Sequence, residues 1–228
     1  MRLRITFSKG GPMTYTSHLD LARAWERSLR RAGVPLAYSG GFNPRPKLQL
    51  AAALPLGHTG EAELLDVRLE KPMLVEDSVR TLAPVLPDGL TISQIHQVGL
   101  KEPALQTQVV AAEYRVTVEW LPEPVEGWDE PAVQVEARFE QVLAATELVQ
   151  ERRGRRYDLR PLIERLWLEQ ADGGEVVLGM QLAAREGATA RPEAVLDVLG
   201  MGKGFARYHR RRLLRTTVEV GGQDGGLD

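Results

Sequence analysis

The 228-residue sequence predicts an α+β protein of two tandem ferredoxin-like units, each with element order β-α-β-β-α-β. Two observations predict it. Alternating apolar stretches of strand length are interleaved with stretches of helical period, and that order of periods occurs twice. No cysteine and no apolar run of membrane-spanning length intervenes. The units are expected at residues 1–100 and 112–220, with GGQDGGLD at 221–228 as a disordered tail.

In the first unit, Arg2–Phe7 (RLRITF) alternates as a half-buried strand. Ser17 opens a helix as a capping hydroxyl, with Asp20 in the reciprocal position. Leu21, Ala22, Trp25, Leu29 and Ala32 form its buried stripe, and Gly33 and Pro35 end it. Leu48–Leu54 and Leu64–Leu69 read as strands, Val75–Leu86 as a helix, and Leu90–Val98 as the closing strand. In the second unit Tyr114–Trp120 is a strand and Ala132–Ala145 a helix. Leu148–Leu159, with Ile163–Gln170 or Val176–Ala183, supplies the next strands. Within that region Gly154 marks a hairpin turn, and Asp158 and Arg160 are placed to pair. Arg191–Leu199 is a helix with Pro192 in its first turn, and Arg212–Val220 a final strand.

A net charge of −2 conceals a polarised chain. From Met1 to Leu50, nine cations face only Asp20 and Glu26. Acidic residues dominate Ala51–Glu130, and arginine returns in ERRGRRYDLR (Glu151–Arg160) and KGFARYHRRRLLR (Lys203–Arg215). Such segregation directs attention to basic surfaces. Arg23, Arg27 and Arg30 share one helix face, opposite the core stripe. They form either a phosphate-tracking stripe or an ordinary solvated face. The following loop, YSGGFNPRPK, holds Phe42, Arg45 and Lys47 between paired glycines and spaced prolines. If Phe42 points outward it can stack on a base while the cations reach phosphates. If it points inward the loop is a structural brace. GMGKGFARYHRRR reads as a mobile basic loop carrying Lys203, Arg207, Arg210 and Arg211, or as a turn before a cation-guarded edge strand.

The four histidines lack metal-ligand spacing, and neither a P-loop nor a dinucleotide fingerprint is present, so neither metal nor cofactor is expected. His18 and His209 are the candidates for acid–base chemistry, although a lone histidine at a helix start is more often a capping neighbour. A cytoplasmic protein without a membrane segment is expected.

The segment FSKGGPMTYTSHLDLARAWERSLRRAGVPLAYSGGFNPRPKLQLAAALPLG, with YDLRP near Tyr157 and GATARPEAVLDVLG, resembles the bacterial radical-SAM-linked domain of unknown function. The resemblance covers about residues 1 to 220. It implies a radical SAM protein as partner and an RNA or translation context, and it carries no catalytic residue. Without cysteine the chain cannot ligate the cluster of a radical SAM enzyme itself. In fold alone, tandem ferredoxin-like units with a basic glycine-rich loop are similar to CRISPR repeat-processing endoribonucleases. Three functions follow as alternatives: an RNA-binding or substrate-presenting accessory protein, a metal-independent endoribonuclease, and a protein-interaction scaffold.

Overall fold

The computed structural model describes residues 1–119, 131–172 and 174–216. The expected tail at 221–228 lies outside them. The elements run β1 (Arg2–Lys9), α1 (His18–Arg31), β2 (Leu48–Leu50), β3 (His58–Arg68), α2 (Val75–Leu82) and β4 (Leu90–Val98), then α3 (Leu105–Gln108) and β5 (Val109–Glu119). They continue with α4 (Pro131–Ala144), β6 (Val149–Arg152), β7 (Arg155–Asp158), β8 (Ile163–Asp172), β9 (Glu175–Arg185), β10 (Ala188–Thr189), α5 (Pro192–Val198) and β11 (Phe205–Arg215).

Among the described residues the strands make one mixed nine-stranded sheet, ordered β10-β9-β5-β11-β3-β1-β4, with β2 on β3 and β8 on β9, plus the separate β6-β7 hairpin. In the first half, β2, β3, β1 and β4 are neighbours in that order and all antiparallel. The second half repeats the order with β8, β9, β5 and β11, again all antiparallel. The halves do not keep separate sheets. They are joined by a short parallel pairing in which Tyr208, His209 and Arg210 of β11 lie beside His58, Thr59 and Gly60 of β3. On the opposite side of β3 from β1, its far end carries β2 through Leu50↔Leu65 and Leu48↔Val67. Thus β2 and β11 occupy two ends of one edge and leave a fork between them.

Each half buries its own apolar cluster. In the first, Leu3, Ile5 and Phe7 of β1 and Leu65 and Val67 of β3 pack on Leu21, Trp25 and Leu29 of α1. Trp25 meets Phe7 edge-on at 4.9 Å. In the second, Tyr114, Val116 and Val118 of β5 and Leu178, Met180 and Leu182 of β9 pack with Phe139, Val195 and Leu199 from the helices. Helix α1 starts where its cap demands: Ser17 Oγ accepts from the Asp20 amide at 3.2 Å and donates to the Asp20 carboxylate at 2.7 Å. Gly33 at φ +68 follows its end.

Several expectations change. The strand expected at Leu48–Leu54 is only Leu48–Leu50, and the one expected at Arg212–Val220 starts at Phe205, with residues 217–220 outside those described. Ala83–Val85, holding Pro84, tightens into a 3-10 turn, so α2 stops at Leu82. Both Ile163–Gln170 and Val176–Ala183 are strands, paired with each other. Asp158 and Arg160 do not form an ion pair. Asp158 accepts from the Leu148 and Arg160 amides, while the Arg160 guanidinium donates to the Leu143 and Ile163 carbonyls.

Candidate nucleic-acid interface and the cleft between the halves

The YSGGFNPRPK loop is both braced and outward-facing. Its stem is fixed by backbone bonds from Ser39 to the Arg45 carbonyl (2.8 Å) and from Lys47 to the Ala37 carbonyl (2.8 Å). The Arg45 amide also donates to Ser39 Oγ at 3.0 Å. Gly41 at φ +105 allows the sharp reversal at the tip. Phe42, beside it, is wholly exposed, and Arg45 and Lys47 are exposed. Neither cation has an ion-pair partner among the described residues.

The loop is continuous with the basic helix face. The Arg30 guanidinium lies over the Tyr38 ring at 5.8 Å, and Tyr38 is in the loop stem, bridged to Pro46. Arg23 and Arg30 are partly answered by Asp20 (3.1 Å) and Glu26 (2.7 Å), whereas exposed Arg27 has no such partner among the described residues. Arg30 and Tyr38 thus join the helix face to the loop stem, whereas Lys47 lines a pocket with Arg2, Asp66 and Arg68, on the sheet face opposite α1.

The second basic segment is arranged differently. Phe205–Arg215 is a central strand rather than a mobile loop, and only Lys203 remains in the preceding turn. Arg207 binds Glu119 and Glu175, and Arg211 binds Glu169. Arg210 is removed from the surface altogether, at 1% exposure. Its Nε donates to Glu63 at 2.7 Å, with a second bond from its terminal nitrogen, and it also reaches the Ala52 and Ala53 carbonyls at 3.2 and 3.1 Å. It ties β11 to β3 and to the strap Ala51–Leu56 between β2 and β3. Burial, the largest single influence, opposes the charge on Arg210, but Glu63 and Tyr114 together outweigh it and raise the pKa.

Around this tie lies a buried polar cluster that only the fold assembles. Lys9 Nζ points at the carbonyls of Thr14, Thr16 and His58, at 3.3 to 3.4 Å. Burial lowers its pKa against the opposing attraction of Glu63. His58 contacts Glu193 of α5 at 3.0 Å and stacks on Tyr208 at 4.6 Å. Burial, then Glu193 and Asp197, push the Tyr208 hydroxyl up to about 12.

Above the cluster a cleft of ≈ 620 Å³ opens in the fork, taking its walls from both halves. The α1 start (Ser17, His18) and the Ala51–Leu56 strap form one side; Arg185, Arg191 and Arg152 belong to the other, with Tyr114 and Arg210 between them. The volume falls within the range of small-ligand sites. His18 Nδ1 is buried there without a hydrogen-bond partner among the described residues. Burial, and secondarily the Arg210 charge, lower the His18 pKa, so the ring is neutral near pH 7. His209 does not line the cleft; Thr59 (2.8 Å) and Glu61 (3.2 Å) hold its two nitrogens. The structure thus does not unite the two histidines. Sequence reasoning missed Glu63, Lys9 and Tyr114. The available signal was charge within strands otherwise destined for burial.

Among the described residues, no helix is long and apolar enough to cross a membrane. No curated protein matches the sequence. Among solved structures the chain is similar to a Cbf5–Nop10–Gar1 complex, at 14% identity and a TM-score of 0.49, covering 94% of this chain and 50% of that one. It is also similar to the archaeal box H/ACA sRNP Nop10–Cbf5 complex, at 12% identity and a TM-score of 0.48, covering 94% and 49%. The chain therefore spans about half the length of these structures. Residues 2–192 match a family described as an uncharacterized protein conserved in bacteria, DUF2344.

Proposed function

The chain belongs to this DUF2344 family, and from the geometry of its basic surface we propose that it is an RNA-binding accessory protein. It grips RNA without transforming it, through two units at residues 1–100 and 112–220 of ferredoxin-like plan. The observation that carries the reading is Phe42. An aromatic ring wholly in solvent, at the tip of a loop with a hydrogen-bonded stem, gains nothing for the core. Flanked by exposed Arg45 and Lys47, it matches the chemistry of base stacking beside phosphate contacts. The Arg23–Arg27–Arg30 face extends the track. Lys203 remains exposed, whereas Arg207, Arg210 and Arg211 are engaged by carboxylates of the sheet.

The resemblance to radical-SAM-linked domains supports a partner: a radical SAM protein to which this chain presents RNA in a cytoplasmic setting. Acid–base cleavage by His18 with His209 has less support, because only His18 lines the cleft.

The test is fluorescence anisotropy of a short labelled single-stranded RNA over a range of salt. Wild type binds with affinity that falls as salt rises. Phe42→Ala weakens binding by about 1–3 kcal/mol, the usual worth of one stacked base. Arg45→Ala/Lys47→Ala lowers the slope of log affinity against log salt by about 1.4, at ~0.7 per neutralised phosphate on a single strand. Absence of salt-dependent binding by wild type would refute the proposal.

A further inference from the structure

We infer that the β6–β7 hairpin is a second RNA-gripping arm, which clamps single-stranded RNA across the mouth of the cleft. The inference rests on the RNA reading above but on different residues. The hairpin stands outside the main sheet and is joined by a two-residue turn, Arg153-Gly154, between the paired Arg152 and Arg155. Both turn residues have positive φ, 53° and 75°. Glycine and asparagine suit such a turn; arginine at its first position is strained. Arg153 is the only non-glycine residue in that region of backbone space among the described residues. A cation kept where the backbone disfavours it points to a role for the cation.

Arg152, Arg153, Arg155 and Arg156 are all exposed. None has an ion-pair partner among the described residues. The contrast with β11 decides the matter. There Arg207, Arg211 and Arg212 each rest on a carboxylate of a neighbouring strand. On the hairpin the nearest carboxylate in register, Glu151 opposite Arg156, makes no ion pair among the described residues. The sheet therefore spends its arginines on its own glutamates, and the hairpin leaves its four for something outside.

The hairpin base is rigid. Asp158 receives the Leu148 and Arg160 amides at 2.8 and 2.9 Å, and Leu159 donates to the Leu148 carbonyl at 2.9 Å. That base aims the arm at the cleft. Arg152 lines both the inter-half cleft and an adjoining cavity of ≈ 520 Å³ under Arg155 and Tyr157. The cleft rim holds Arg152 and Arg191, together with Arg185, which reaches Glu164 at 3.8 Å, and one carboxylate, Glu186; across from it runs the mainly apolar strap Ala51–Leu56. Phosphates on the arginines and a base against the strap is an arrangement open to an unpaired strand. A duplex keeps its bases stacked inside and cannot place one there.

The experiment uses the full chain, a short fluorescein-labelled oligouridylate and its duplex with oligoadenylate. The hairpin variant replaces Arg152, Arg153, Arg155 and Arg156 by alanine; Arg191→Ala tests the cleft side. For the single strand, the salt slope falls by about 0.7 for each phosphate that the variant no longer neutralises, and binding of the duplex is weakened less. Oligouridylate carrying 4-thiouridine photocrosslinks to the peptide Val149–Asp158 in the wild-type protein. Unaltered thermal unfolding shows that the variants fold. If wild type binds and Phe42→Ala weakens it, while the hairpin variant keeps its slope and Val149–Asp158 does not crosslink, this inference is overturned and the RNA reading stands. If the hairpin variant loses affinity for duplex as strongly as for single strand, the single-strand assignment is wrong. If wild type binds neither RNA, both readings fall.

Discussion

Consider removing either member of the Arg210–Glu63 pair. Both side chains are almost fully buried, at 2% and 5% exposure, so neither charge left behind can recover its hydration. Breaking such a pair from one side costs about 3–5 kcal/mol. The structure makes the two halves of the experiment unequal. Glu63→Gln leaves two buried cations, Arg210 and Lys9, whose charges already act against one another. Arg210→Met leaves Glu63 with Lys9 still attracted to it. Glu63→Gln therefore falls at the upper end of the range and Arg210→Met at the lower end. With a urea m value near ~3 kcal/mol/M, the top of the usual range, the midpoints fall by about 1–1.7 M. The double variant Glu63→Leu/Arg210→Met removes both charges, leaves the Ala52 and Ala53 carbonyls without their donor and leaves buried Lys9 without the attraction of Glu63. At ~1 kcal/mol per bond the carbonyls cost about 2 kcal/mol, and the Lys9 charge adds to that, for a total still below the sum of the single variants. Urea unfolding followed by tryptophan fluorescence reads all three. Equal losses in the single variants, or a double variant equal to their sum, would refute the reasoning.

Two further perturbations probe the frame. Burial lowers the pKa of His18 and of His96, with nearby arginines adding to it. The unfolded chain then takes up protons at a higher pH than the folded one, so this contribution is complete above about pH 6.5 and is lost as pH falls through the folded values. The thermal midpoint should decline on acidification from about pH 7 to about pH 5, and less steeply in His18→Gln/His96→Gln; an unchanged slope counts against the assignment. Gly179 faces Trp167 so closely that an added Cβ would lie 1.8 Å from the indole. Gly179→Ala should cost about 1–3 kcal/mol from overpacking, and an unaltered thermal midpoint would contradict it.

The local chemistry of the elements is legible in the sequence. Ser17, Asp20 and the Leu21/Trp25/Leu29 stripe mark α1, and alternation marks β1, β4 and β5. The glycine at Gly154 marks the hairpin. Errors appear where charge and strand coincide. KGFARYHRRR reads as a loop because its arginines look surplus. They are tolerated in a central strand because Glu119, Glu175, Glu169 and Glu113 arrive from strands distant in sequence. The same blindness hid the cleft, since Glu63 and Arg210 are 147 residues apart. No local period records a partnership at that distance. Phe42 illustrates the remaining gap: glycines and prolines announce the loop, but the direction of one ring depends on the stem that Ser39 and Lys47 close.

The placement of β11 also bears on how the chain is made. This late strand, Phe205–Arg215, inserts between β5 and β3, in the middle of the sheet. A nascent chain that ends before Phe205 has built most of both halves but presents a long unpaired edge on β5 and a short one on β3 toward the gap. Closing it requires pairings of large sequence separation, which form late and slowly. Until then each edge is a template for any other strand. The ribosome-bound protein thus passes through a stage at which nearly all of its core residues have been synthesised while its most adhesive surfaces remain open, and a stop codon just upstream of β11 would leave it there.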